Sequence, residues 1–238
     1  SINLEILILV KLKKIYIHMV VKYVSKKEKF IAIIDYNMSN LFSVQAACAN
    51  VGIKTIITND YEQIMKSEAI ILPGVGAYSE AMDKIKKLKL DYAIQKFLEK
   101  GKMIFGICLG MQLFFENSYE FGEVKGLGLI KGSVVKFDYK SKNEFIKTPH
   151  LGWNKINLKK NSVFFEGIHN QSYMYFVHSY YVNPTISSNI VSTTNYGGNY
   201  FCSSIEKENI FAVQFHPEKS GIDGLKMYLN IKQKLKIE

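Results

Sequence analysis

The chain has 238 residues, 47% of them hydrophobic, and a net charge of +10, enough length to bury one substantial core. Its three cysteines, Cys48, Cys108 and Cys202, are odd in number and far apart, which argues against a disulfide framework or a spaced zinc site and fits a reducing, cytoplasmic compartment. The lysine excess sits in short groups such as Lys84, Lys86, Lys87 and Lys89, which read as a solvated helix face, and no nucleic-acid-binding motif accompanies them.

Residues 1–29 read as an N-terminal extension of unassigned role, such as an extra strand. The apolar run EILILV is interrupted by Lys11, Lys13 and Lys14 before it could span a bilayer, and no small-residue cleavage site follows, so no secretory signal is expected. One domain, 30–238, starts at Phe30. FIAIID predicts a strand, 41–51 a helix, KTIIT a strand, 60–67 a helix and AIIL a strand. PGVGAY follows, then a lysine-rich helical stretch ending at Gly101, the strand KMIFGI and a helix over about 109–116. Such alternation predicts an α/β fold whose parallel sheet is covered on both faces. Its carboxyl edge, where ligands bind in open sheets, receives loops after Asp35, after Leu72 and at Cys108. Beyond Gly126 the texture turns β-rich, with LGLIKGSVVKF, YMYFVHSYYV, NIVSTTNY, YFCSSIE and IFAVQFH predicting antiparallel strands beside or continuing that sheet. A last helix is expected over about 224–234.

GICLG, 106–110, places a cysteine where a strand turns directly into a helix, between two glycines. That is the spacing of a nucleophile elbow with sulfur in place of oxygen, and a helix N-terminus favours thiolate. A packed cysteine in a glycine-lined crossover would share the pattern. Cys48 and Cys202 read as buried small hydrophobes. A nucleophile needs a base and the base needs an orienting group, and FAVQFHPEKS supplies His216 with Glu218 two residues on, across Pro217. His150, His169 and His178 compete for the base role, but none has a carboxylate so near in sequence. LPGVG, 72–76, is either a plain strand-to-helix turn or a nest of N–H groups beside the nucleophile, an oxyanion hole to which Leu109 N–H would add. Nothing in the pattern calls for a metal or an organic cofactor.

The G-x-C-x-G elbow, the P-G-x-G loop before it and H-P-E about a hundred residues later resemble the class I, or triad, glutamine amidotransferases, over about 30–236. Within that family IAIIDYNMSNL, LPGVGAY, GICLGMQLFFE, KGLGLIKG, PHLGWN, YFVHSYY and FHPEKS are most similar to the glutaminase subunits of imidazole glycerol phosphate synthase. The resemblance implies a flavodoxin-like fold, with a mostly parallel central sheet and added antiparallel strands in the C-terminal half. It also implies hydrolysis of glutamine to glutamate and ammonia, with Cys108 as nucleophile, His216 as proton shuttle and Glu218 orienting it. Gly74, Val75 and Leu109 would stabilise the oxyanion, and Gln112, Glu120, Ser179 and Tyr180 would hold the amino-acid end of the substrate. Ammonia would pass to a (β/α)₈ cyclase subunit in a heterodimer, for synthesis of imidazole glycerol phosphate and an aminoimidazole carboxamide ribotide. Asn37, Trp153, Tyr175 and Lys219 match the docking face. The chain departs from the family pattern at Asn37 and Ser39, where glycines are common, at Leu151, where methionine is usual, and in its extension. These departures keep open an alternative partner, an enzyme that builds amidino groups on surface sugars.

Overall fold

Strand β1 (Ile31–Ile34) is buried at every position and its side chains alternate between two cores. Ile31 and Ile33 pack among Val44, Phe105 and Tyr228 on one face, Ala32 and Ile34 among Ile64, Tyr78 and Phe97 on the other. A strand buried on both faces belongs inside a helix-covered sheet. The computed structural model, which describes residues 11–14, 16, 28–38, 40–137 and 147–237, has that arrangement.

After β1 come α1 (Leu41–Asn50), β2 (Thr55–Thr58), α2 (Tyr61–Lys66), β3 (Ala69–Gly74), α3 (Tyr78–Lys87), α4 (Leu90–Glu99), β4 (Met103–Cys108) and α5 (Leu109–Leu113). Then follow β5 (Phe115–Ser118), β6 (Val124–Lys125), β7 (Ile130–Lys136), β8 (His150–Lys155), β9 (Asn157–Leu158), β10 (Tyr173–His178) and β11 (Tyr180–Pro184). The chain closes with β12 (Ile190–Tyr196), β13 (Asn199–Lys207), β14 (Ile210–Val213) and α6 (Gly221–Lys234). Strands β2, β1, β3, β4 and β14 lie side by side and parallel. The sheet continues antiparallel through β13 and β11 to β7, with β5 and β6 at its far edge, while β8 and β10 form a separate antiparallel pair. The expected α/β architecture is therefore present.

Local chemistry explains several boundaries. Asp60 caps α2 by accepting from Gln63 N–H at 2.8 Å, and Gly101, at φ 70°, ends α4 in the left-handed region that glycine enters freely. The lysine-rich stretch is two helices rather than one. Lys89 turns left-handed (φ 56°) between them, which brings Leu90, Ala93, Ile94 and Phe97 onto the core. The helix expected to reach about 116 stops at Leu113: Phe114 N–H bonds three residues back, to the Met111 carbonyl, and from Phe115, which pairs with Ile130, the chain runs as strand. YMYFVHSYYV is split at Ser179 into β10 and β11, which belong to different sheets. IFAVQFH supplies β14, which runs parallel to β4 instead of antiparallel, with Val213 opposite Ile107. The last helix begins at Gly221, one turn before 224. Residues 11–14 are helical, not an extra strand, and most of the extension lies outside the described residues.

Helix α5 crosses β3 so closely that a Cβ on Gly110 would stand 1.8 Å from the Leu72 carbonyl oxygen. That oxygen belongs to a central strand and cannot move away cheaply. Gly110→Ala is therefore expected to cost about 2–4 kcal/mol, read as a lower urea midpoint; a midpoint equal to wild type would show that α5 can back away from the sheet.

Candidate active site

Cys108 is both the last residue of β4 and the residue that caps α5, so it alone absorbs the reversal, at φ 54° and ψ −109°. A non-glycine residue in that region carries about 1–3 kcal/mol of strain. The expected elbow is thus present in the backbone itself. The parallel register then decides what faces the thiol. Gly74, at the end of β3, pairs with Cys108, and β14 on the other side of β4 ends at the same edge, with His216 just beyond it.

His216 and Glu218 come together as the spacing predicts. Pro217 opens a single 3-10 turn over Pro217–Lys219, which swings the carboxylate back to the ring, and Glu218 Oε1 lies 2.8 Å from His216 Nδ1 with side-chain exposures of 1% and 3%. The carboxylate fixes the tautomer, leaving Nε2 as the working nitrogen. Nε2 is buried and has no hydrogen-bond partner among the described residues. Burial opposes a charge on the ring, but the negative Cys108 sulfur and the Glu218 carboxylate outweigh it and raise His216 to about 10. The competing histidines are different. His178 Nδ1 faces the Tyr180 carbonyl at 2.8 Å and its Nε2 faces His150 Nδ1 at 3.0 Å, so each ring donates once from Nδ1. Burial lowers them to about 3 and about 4, and they stay neutral. Cys48, in α1, is pushed up to about 12 by burial, and burial also raises Cys202, as inert core thiols should be.

A cleft of about 300 Å³ opens beside Cys108, lined by Leu109, Gln112, Glu120, Ser179 and Tyr180 among others. Those four proposed substrate-holding residues are thus brought to one place. Gln112 Nε2 donates to the Tyr180 carbonyl at 2.9 Å, and Glu120 Oε2 accepts from Tyr78 N–H, at the start of α3, at 2.7 Å. Val75 and Gly76 line the cleft, but Val75 N–H donates to the Met38 carbonyl at 3.3 Å. In this conformation that donor is spent on the neighbouring loop, while Leu109 N–H, in the first turn of α5, follows directly on the sulfur-bearing residue.

The family model for glutamine amidotransferase class-I matches residues 32–232. The chain belongs to the class I glutamine amidotransferases. This amidotransferase is 46% identical over 203 residues to the imidazole glycerol phosphate synthase subunit HisH of Aquifex aeolicus, covering 85% of this chain and 95% of that one. It is 49% identical over 200 residues to the same subunit of Methanocaldococcus jannaschii, covering 84% and 97%. Among solved structures it shares its fold with PurLQS from Thermotoga maritima, at TM-score 0.66 and 22% identity over 87% of this chain and 99% of that one. The glutaminase domain of Trypanosoma brucei CTPS with bound acivicin matches at TM-score 0.64 and 19% identity, over 88% and 95%.

On the amidotransferase surface, Trp153 and Tyr175 are cross-strand partners in β8 and β10, their rings 5.9 Å apart at 76°, and Lys219 Nζ stands 5.9 Å over the Tyr175 ring. Trp153 is 55% exposed, so core packing does not account for it. The patch is joined to His216 by backbone: His216 N–H donates to the Tyr175 carbonyl at 2.9 Å, and Ser220 Oγ accepts from Tyr175 N–H at 3.0 Å. Asn37 is placed elsewhere, exposed on the loop after β1 and left-handed at φ 60°, next to the Met38 carbonyl that holds Val75. Two residues escaped the sequence reading. Met38 acts through its main chain, which leaves no signature in a side-chain pattern. Gln214 is fully buried and touches the Cys108 sulfur; a glutamine inside the apolar run FAVQF is the available signal.

Proposed function

We infer that the chain is the glutaminase subunit of an imidazole glycerol phosphate synthase: it hydrolyses glutamine to glutamate and ammonia and delivers the ammonia to a (β/α)₈ cyclase subunit. The observation that carries the chemistry is a strained Cys108 at the head of α5 beside a buried His216–Glu218 pair. Identity to HisH subunits over most of both chains supports the pathway.

In this reading the Cys108 sulfur attacks the side-chain amide carbon of glutamine, and the carbonyl oxygen becomes an oxyanion beside Leu109 N–H. His216 Nε2–H gives its proton to the amide nitrogen, and ammonia leaves as the carbon–nitrogen bond breaks. The γ-glutamyl thioester is then cleaved by water, whose proton returns to His216, and the carbon–sulfur bond breaks to release glutamate and the thiolate. Gln112, Glu120 and the Ser179–Tyr180 segment hold the amino-acid end. Val75 N–H completes the oxyanion hole once it leaves the Met38 carbonyl. Free ammonia picks up a proton in water and loses its nucleophilic lone pair, which is the chemical reason to produce it against a sealed partner. Asn37 and the Trp153–Tyr175–Lys219 patch form the docking face.

The test is glutamate release from glutamine by the purified chain, alone and with the cyclase subunit from the same source carrying its ribulosyl ligand. Strong stimulation by the liganded cyclase is expected, and a folded chain that binds the cyclase without stimulation would overturn the pathway. Trp153→Ala should weaken the complex by about tenfold or more, as loss of an aromatic anchor does, with the melting temperature unchanged. An unaltered dissociation constant would remove Trp153 from the docking face.

A further inference from the structure

Gln214 lies just past β14, two residues before His216, and is fully buried. Its amide bridges two groups of the site. Gln214 Nε2 donates to Cys108 Sγ at 3.6 Å, and Gln214 Oε1 accepts from Gln112 Nε2 at 3.0 Å. The second hydrogen of Gln112 Nε2 goes to the Tyr180 carbonyl at 2.9 Å. The polarity of this chain is forced. Reversing the Gln214 amide would set its NH₂ against that of Gln112 and its oxygen against an electron-rich sulfur. With both hydrogens of Gln112 Nε2 committed, the only group Gln112 can offer the cleft is its oxygen.

We propose that Gln214 is a positioning residue of the glutaminase, one end of its amide holding the Cys108 sulfur and the other turning Gln112 so that it presents an acceptor to the substrate. The proposal rests on the reading of Cys108 as nucleophile. Around the sulfur, the Val177 carbonyl at 3.8 Å can only accept, whereas Gln214 donates, and a donor aimed at sulfur gains strength as negative charge gathers there. The amide therefore favours the rotamer and the charge state in which Cys108 attacks. At its other end, an oxygen in the cleft suits the α-ammonium group of an amino acid, not its carboxylate. One buried side chain thus couples two properties, the reactivity of the thiol and the recognition of the substrate's amino group.

The two ends make separable contributions. Gln214→Met keeps the length and removes both hydrogen bonds; Gln214→Glu keeps the size and an oxygen that accepts from Gln112, but when ionised it donates nothing to sulfur. Both would be assayed at mildly alkaline pH in complex with the cyclase subunit, for kcat, KM for glutamine, and the rate at which iodoacetamide alkylates Cys108. For Gln214→Met we expect kcat and alkylation to fall about tenfold or more and KM to rise about tenfold, the usual scale for a lost charge-assisted hydrogen bond. For Gln214→Glu we expect the same fall in kcat with KM within about threefold of wild type. The melting temperature separates the alternatives. A lower melting temperature with kcat, KM and alkylation unchanged would mean a merely structural amide and would overturn the proposal, as would wild-type kinetics in a stable Gln214→Met. Should Gln214→Met fail to fold, an unchanged kcat in Gln214→Glu overturns it. Turnover surviving in Cys108→Ala would instead sink the nucleophile assignment, which is a different failure.

Discussion

Cys108→Ala is expected to lower glutamine hydrolysis by about 10⁴-fold or more, because without sulfur no thioester forms and the rest of the site is left with only binding and electrostatics. Binding to the cyclase subunit should be unaffected, since Cys108 is buried at the sheet edge and the Trp153–Tyr175–Lys219 patch is on the surface. The backbone adds a second, independent expectation. Cys108 sits at φ 54°, where a Cβ is costly and glycine is at ease, so Cys108→Gly should be more stable than Cys108→Ala by about 1 kcal/mol. Urea unfolding of the two variants decides it, and a glycine variant less stable than the alanine one would remove strain from the account of the elbow.

Glu218→Gln is expected to lower turnover by about 10²–10⁴-fold and to cost about 3–5 kcal/mol of stability at neutral pH, the scale for removing one partner of a buried ion pair. His216 is raised from its ordinary 6.5 to about 10 in the fold, so the stabilisation it contributes is complete below pH 6.5 and is lost as pH rises through about 10. The stability gap between wild type and Glu218→Gln should therefore be widest at and below pH 6.5, narrow as pH rises from there towards 10, and be small above pH 10. A gap independent of pH over that range would mean that the pair is not imidazolium and carboxylate. Part of the elevation comes from the negative Cys108 sulfur, so in Cys108→Ala the His216 imidazole should titrate at lower pH than in wild type, as ring-proton chemical shifts would report.

Much of the site was legible in order. The elbow could be read because a strand that meets a helix with no loop between them demands glycines beside the turning residue: Gly110 leaves no room for a Cβ against Leu72, and Gly106 none against Phe114. His216 and Glu218 could be read as partners because two residues with an intervening proline span one 3-10 turn. Strand and helix identities in the first half followed from runs whose burial alternates between two cores. All of these depend on neighbours in sequence, where covalent geometry restricts the outcome.

What the tertiary structure decided is everything that depends on which strands are neighbours. IFAVQFH looks the same whether it pairs parallel or antiparallel; only its place beside β4, with Ala212 opposite Gly106, brings His216 to the edge that holds Cys108, some hundred residues away. The end of α5 belongs to the same class, since the pairing of Phe115 with Ile130 turns into strand the residues that a longer helix would have used. The occupied Val75 N–H and the Gln214 bridge belong to this class as well. A hydrogen bond has a direction and a reach of about 3 Å, so which donor meets which acceptor is settled only when the chain has folded back on itself. The sequence by itself determined the reactive groups and the turns that expose them, and the packing of β3, β4 and β14 side by side made them one site.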